Sequence, residues 1–370
     1  MDLNRQILHK ATSLSLDKSS AEQLGTLLAS VTDWQGLIRD AELYALANIL
    51  LKHITEHDLP VANEHLVSLK GLAFRHKNVA NTRYKVISQI SDKFAKHDIP
   101  LVALKGLALA PMIYPQERFR PMRDMDILVP KDKEQVAAEV LRNLGFKLPY
   151  QQQNKFMRGS HQLPNATLKV DGFTISVEIH HDAFSRDVAG SLTYQDIVND
   201  LQSVQWRDTS LMTLGHTQML HQVSRHLEGL HPGAVLKLIN VLDVVRYAEQ
   251  FIDEINWSEI KSDFSHVINT LQCLHLITPL SDNLQAKIGG VIDVQPNGVG
   301  EIMQPLTSIF NKTNSTPQKL RLLLKPSDWW LHLYYNVSLN NSLSATKYCR
   351  HPIRVMTWLW QRFYSMIMGG

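Results

Sequence analysis

Cysteine is nearly missing from this chain: Cys273 and Cys349 are the only two among 370 residues. Two thiols cannot build a disulfide framework, and no Cys/His spacing matches a zinc site, so a reducing cytoplasm is the expected setting. One-sided charge is missing too. The 38 Lys and Arg against 35 Asp and Glu leave a net +3, which excludes an obligate nucleic-acid coat or a basic tail, though not a local basic patch. No apolar run reaches membrane-spanning length, so no transmembrane segment is expected. The nearest approach, Val355-Met356-Thr357-Trp358-Leu359-Trp360, is stopped by Gln361 and Arg362. It reads as a buried or partner-facing helix, with a helix lying on a membrane surface as the alternative. Met1-Asp2-Leu3-Asn4-Arg5 opens no apolar stretch, so a secretory leader is not expected. Low-complexity tracts and internal repeats are absent as well.

What is present divides into three parts, expected at 1–98, 99–210 and 211–370. The first is helical. Thr32 with Gln35 reads as a capping box, followed by Trp34, Leu37, Ile38, Leu43, Leu46 and Ile49 near helical spacing. A second helical pattern starts near Ala62 and stops before Ile99-Pro100, because a residue preceding proline is pushed out of the helical region. The middle part changes character. Strands are expected near 101–104, 125–129, 167–170 and 173–179, the last two joined by the hairpin signal Asp171-Gly172. A helix over 132–144 ends at Gly145. A short helix is expected between Leu107 and Tyr114, broken by Pro111 or starting after it. In the third part the helical period returns through Leu238, Ile239, Leu242 and Val245. The fold class is therefore α+β: a small mixed sheet flanked by N-terminal and C-terminal helical regions. Four of the seven tryptophans, Trp329, Trp330, Trp358 and Trp360, lie near the end and mark a candidate partner surface.

The chemistry concentrates at Arg123-Asp124-Met125-Asp126-Ile127-Leu128-Val129. Residues two apart on a strand share a face, so Asp124 and Asp126 project together while Met125, Ile127 and Val129 face the core. Carboxylates held side by side repel, and a divalent cation between them is the usual remedy. Magnesium, a hard ion content with carboxylates and phosphates, is the expected cofactor, with manganese as its substitute. Taken alone, D-x-D is equally an acidic strand end facing solvent. Its setting adds to it. Along Phe173–Ile179, Thr174, Ser176, Glu178 and His180 share the polar face, so Glu178 can complete a triad with the two aspartates. His180 is a candidate substrate contact. Upstream, Lys105-Gly106 ends a strand before a helix start, where backbone amides favour phosphate. Arg120 and Arg123 can neutralise further phosphate charge; a solvated basic loop is the plainer account of the neighbouring Arg118. Seventeen histidines contain no H-E-x-x-H, and His216, His221 and His226, five apart, fan over different faces of a helix.

Lys105-Gly106, the D-x-D strand and Glu178-Ile179-His180 together resemble the DNA polymerase β-type nucleotidyltransferase superfamily. More narrowly, the chain resembles the bacterial uncharacterised nucleotidyltransferase family. That likeness extends to Asp33-Trp34, Leu242-Asp243-Val244, Trp257, Pro326-Ser327-Asp328-Trp329-Trp330 and His351-Pro352. It implies a metal-dependent enzyme that transfers an NMP group from an NTP, ATP being the first candidate, to an acceptor; the sequence identifies neither the acceptor nor the preferred base. It assigns the triphosphate turn to Gly106 and the metal to Asp124, Asp126 and Glu178. Two departures stand out. The superfamily's Gly-Ser turn is Gly106-Leu107 here, so a hydroxyl contact is lost and Lys105 is the candidate replacement. The interval from Gly106 to Asp124 is also long. Three alternatives remain at this point: a nucleotide-binding regulatory module with weakened catalysis, a tRNA-modifying nucleotidyltransferase toxin, and a helical interaction scaffold. The balanced charge gives no support to the toxin.

Overall fold

The computed structural model describes residues 3–149, 161–184, 190–228, 236–300, 324 and 326–368. The chain divides into two compact units, Asp2–Gln222 and Val223–Gly370.

In the first unit, five helices precede the sheet: α1 (Leu3–Lys10), α2 (Lys18–Ala29), α3 (Trp34–Leu43), α4 (Ala47–Glu56) and α5 (Asn63–Ala95). The cap of α3 is Asp33, not Thr32. Its short carboxylate accepts the Gly36 amide at 2.8 Å, closing the first turn one residue later than a Thr32–Gln35 box would. The periodic run to Ile49 is likewise two helices. Ala45 adopts φ 61°, which ends α3 and restarts the chain as α4. Helix α5 runs 33 residues, about 50 Å, and buries one stripe, including Ile87, Ile90 and Phe94.

The sheet has six strands: β1 (Val102–Ala103), β2 (Met125–Leu128), β3 (Ala166–Val170), β4 (Phe173–His180), β5 (Gln202–Trp206) and β6 (Thr209–Thr213). Their spatial order is β3-β4-β2-β1-β6-β5. Strand β2 runs parallel to β4 and antiparallel to β1, and β1 runs parallel to β6. Asp171 and Gly172 turn the β3–β4 hairpin with φ 52° and 80°, as a two-residue turn between antiparallel strands requires. The β5–β6 hairpin is an addition to the four expected strands. Val204 and Trp206 face the core with Leu211, while its turn carries no glycine, Arg207 taking φ 52° instead. Three further helices belong to this unit: α6 (Lys105–Ile113), α7 (Glu134–Asn143) and the short α8 (Tyr194–Ile197). Pro111 sits inside α6 rather than breaking it, so that helix begins earlier than the sequence suggests.

Glu117 ties the loop before β2 to the added hairpin. It accepts from Trp206 Nε1 at 2.9 Å and from Arg207 Nε at 3.0 Å. Burial alone would raise its pKa; the bonds from Arg207 and Trp206 outweigh this and hold it below the usual glutamate value. A group so depressed stabilises the fold above its unfolded pKa, and the contribution is lost as pH falls through the lower, folded value. Glu117→Gln should therefore cost about 1–3 kcal/mol at pH 7, with the deficit shrinking below pH ~4. Urea unfolding at the two pH values checks this; an equal deficit at both would show that charge is not the cause.

Helix α9 (His216–Glu228) contains the division between the units. The second unit holds α10 (Leu238–Gln250), α11 (Trp257–Ser262), α12 (His266–His275), α13 (Asp282–Ile288), α14 (Asp328–Tyr334) and α15 (His351–Met368). Its core joins Val241, Val244 and Tyr247 to Val267, Leu271 and Leu274, with buried Trp329 donating to the Cys273 carbonyl at 2.9 Å. Two of the late tryptophans, Trp329 and Trp330, are thus structural. On α15, Ile353, Met356, Trp360 and Phe363 recur at three- and four-residue spacing and are all more than half exposed. No helix among the described residues is long and apolar enough to cross a membrane.

Candidate active site

Strand alternation places the acids. Ile175, Val177 and Ile179 of β4 are buried on one face, which leaves Ser176, Glu178 and His180 on the other. In the parallel ladder Asp126 is the register partner of Glu178, so the two carboxylates stand side by side on adjacent strands. Ligand atoms of Asp126, Glu178 and His180 all lie within 4.8 Å of one another. Asp124 lies outside that group. It immediately precedes β2, hydrogen-bonds Ser176, and is coupled electrostatically to Glu178 and Asp126.

The charges are unevenly compensated. Lys105 Nζ donates to Asp126 Oδ1 at 2.7 Å, and His180 Nε2 lies 3.0 Å from the same oxygen. Burial would raise the Asp126 pKa, yet Lys105 and His180 hold it far below the aspartate range. Glu178 is lowered as well, its burial outweighed chiefly by the His180 hydrogen bond. His180 is raised: burial opposes its charge, but its hydrogen bonds to the Asp126 and Glu178 carboxylates win. Asp124 goes the other way. Burial and then the negative field of Glu178 raise its pKa, and the exposed Arg123 offsets this only in part. The side of the cluster bounded by Asp124 and Glu178 thus carries surplus negative charge, which a hard divalent cation would relieve. The donor set fits magnesium or manganese.

Lys105 is not a strand-end residue. It is the first residue of α6 and adopts φ 45°, which swings its stem back over β2. The resemblance gave the triphosphate turn to Gly106, but the positive φ there belongs to Lys105, and Gly106 is an ordinary helical residue. A Cβ there would meet Met122 at 3.4 Å and the Arg120 guanidinium at 3.6 Å. Arg120 itself is 9% exposed and donates to the Pro121 carbonyl at 2.9 Å, so it braces the loop under Gly106. The structure therefore brings Lys105, Asp126, Glu178 and His180 together. It keeps Arg123 and Asp124 in the segment just before β2 and places Arg120 beneath the turn.

Three neighbours carry no motif. Arg83 of α5 bonds the Met122 carbonyl and feels the charge of Asp124; burial lowers its pKa to about 10. His161 packs against His180 with ring centroids 5.5 Å apart, and burial followed by the His180 and Lys105 charges lowers it to about 4. Ser176 was legible from the β4 alternation, since it lies two residues before Glu178 on the same face; Arg83 and His161 arrive through tertiary packing alone.

No curated protein and no solved structure matches the chain. A family model does, over residues 30–280, a span that takes in all six strands and every residue of the acidic cluster. On that match the chain belongs to the uncharacterised nucleotidyltransferase family.

Proposed function

We propose that this protein is a metal-dependent nucleotidyltransferase of the DNA polymerase β type, transferring an NMP group from an NTP, with ATP the first candidate, to an acceptor hydroxyl. The observation that carries the reading is the register pairing of Asp126 with Glu178, with Asp124 two residues before Asp126 and Lys105 reaching in from the start of α6. A divalent cation held by Asp124, Asp126 and Glu178 would supply Lewis-acid activation of the acceptor oxygen and charge relief at the phosphoryl group. The chain's own groups do the rest. The first turn of α6 offers backbone amides and a favourable dipole to phosphate. Lys105 supplies positive charge at that turn, and Arg123 supplies it beside Asp124. His180, buried and bonded to both acids, keeps their carboxylates oriented and ionised.

The direct test is incubation with each α-labelled NTP, Mg²⁺ or Mn²⁺, and cell extract. Label transferred to an acceptor in wild type, and lost in an Asp124→Asn, Glu178→Gln variant, supports the reading; no transfer with any nucleotide and either metal overturns it. A second reading, a nucleotide-binding regulatory module, is favoured by one observation: the Lys105 ammonium already neutralises Asp126. Nucleotide binding without label transfer would select it.

Gly106→Ala probes the phosphate end without disturbing the fold. The added methyl meets only ordinary contacts, and alanine is the better helix former by roughly 0.5–1 kcal/mol. Thermal stability should hold or rise while KM for the nucleotide increases severalfold. An unchanged KM would place the triphosphate elsewhere.

A further inference from the structure

We propose a second metal site, of the zinc type, formed by His53, Glu56 and His57 at the C-terminal end of α4. Candidate ligand atoms of these three residues lie within 4.8 Å of one another. The spacing His-x-x-Glu-His puts the two imidazoles four apart and the carboxylate between them, all on one helical surface. It is the reverse order of the H-E-x-x-H pattern that the sequence lacks, and it too sets two imidazoles one helical turn apart.

His53 shows what a ligating imidazole needs. Its Nε2 lies 2.8 Å from the Ser13 carbonyl oxygen. A carbonyl only accepts, so Nε2 carries the proton and Nδ1 keeps its lone pair. A metal-bound histidine is fixed in the same manner, its second nitrogen donating to a backbone carbonyl. The residue is fully buried, and Nδ1 has no hydrogen-bond partner among the described residues. An acceptor buried without a donor costs about 1–3 kcal/mol, and a metal ion would remove that cost. Burial also depresses the His53 pKa to about 4, so the imidazole stays neutral and available. The other two ligands are movable. His57 caps α4, its ring centroid 6.4 Å from that of His53. Glu56 is half-exposed, pairs with Lys52, and borders an open cavity of about 320 Å³. Zinc takes such ligands at about 2.0–2.2 Å, so the three ligand atoms must close in around an ion.

The ligand types set the metal. Two imidazoles disfavour magnesium and calcium, which take oxygen, and favour zinc. A cation at the end of α4 also meets the negative end of the helix dipole. Because His53 bonds Ser13, and Lys52 bonds the Leu14 carbonyl, the ion would fasten the α1–α2 connection to α4.

The test titrates Zn²⁺ alone into the metal-free full chain by calorimetry, with Co²⁺ absorption as a second readout. Wild type and Asp126→Asn should both bind zinc at this site and show a tetrahedral Co²⁺ spectrum. His57→Ala and Glu56→Gln should weaken that binding by at least about tenfold and lose the spectrum. Both altered side chains are partly exposed, so the metal-free variants should melt as wild type does; were His57→Ala to unfold, Glu56→Gln alone decides. Equal zinc affinity and stoichiometry in wild type and both variants would overturn the proposal. So would loss of all zinc in an Asp126→Asn variant that still shows a cooperative melt, which would assign the ion to the acidic cluster instead.

Discussion

Asp126→Asn should lower NMP transfer by about 10³-fold, roughly 4 kcal/mol of transition-state stabilisation. The change keeps the side chain's shape and removes only its charge. Three partners depend on that charge: Lys105 at 2.7 Å, His180 at 3.0 Å, and the proposed cation site shared with Glu178. An asparagine can still accept one hydrogen bond, but it no longer balances a buried imidazolium and an ammonium. Breaking a buried ion pair by removing one partner typically costs about 3–5 kcal/mol, less here to the extent that His180 sheds its proton. Single-turnover transfer of labelled nucleotide checks the catalytic loss, and urea unfolding checks the stability. Transfer within tenfold of wild type would remove Asp126 from the machinery and the D-x-D argument with it.

Lys105→Ala has the second-largest expected effect, and its signature is a split. Lys105 competes with any metal for Asp126 Oδ1 and is also the nearest ammonium to the α6 first turn. Removing it frees the carboxylate, so half-saturation by Mg²⁺ should shift to lower concentration by severalfold. Turnover should nevertheless fall by about 10²-fold, because phosphate charge developing in the transition state loses its partner. The backbone complicates a naive reading. Residue 105 holds φ 45°, a region that disfavours any side chain, so alanine inherits the strain without the ion pair. Lys105→Gly separates the two contributions: it relieves the backbone and removes the ammonium, so it should match Lys105→Ala in turnover while melting higher. A rise in turnover in either variant would identify Lys105 as a brake and favour the regulatory reading.

Much of this arrangement was legible in the sequence, and its limits are instructive. Alternation fixed the faces of β2 and β4 because one face of each is wholly apolar, and a one-residue slip would turn Asp126 and Glu178 onto the apolar face that Val177 and Ile179 occupy. Asp171-Gly172 and Gly145 announced their turns, each glycine adopting positive φ. Where glycine did not carry the turn, local rules failed. Lys105 takes the left-handed conformation next to a glycine that does not, and the Arg207-Asp208 turn hides a hairpin whose alternation, Val204 with Trp206, is short. Arg83 and His161 have no local signature. They reach the cluster because α5 and the segment before β3 pack there, which no spacing rule encodes.

The order of the sheet has a consequence for how the protein is made. Chain order and spatial order disagree at β1, whose two residues lie between β2 and β6. Thr213 closes onto the Ala103 carbonyl across 110 positions, and His180 meets Asp126 across 54. Contacts so distant in sequence form late, because the entropy of closing their loops must be met before they stabilise anything. During synthesis, then, the strands that carry Asp126 and Glu178 emerge well before the hairpin that covers the far edge of β1. A nascent chain stopped near residue 200 would display β1 with one edge open, a template for pairing with another chain. The sheet that carries the acidic cluster is thus completed only after β6 has left the ribosome, and residues 99–182 cut out by themselves would lack the strand that pairs with the far edge of β1.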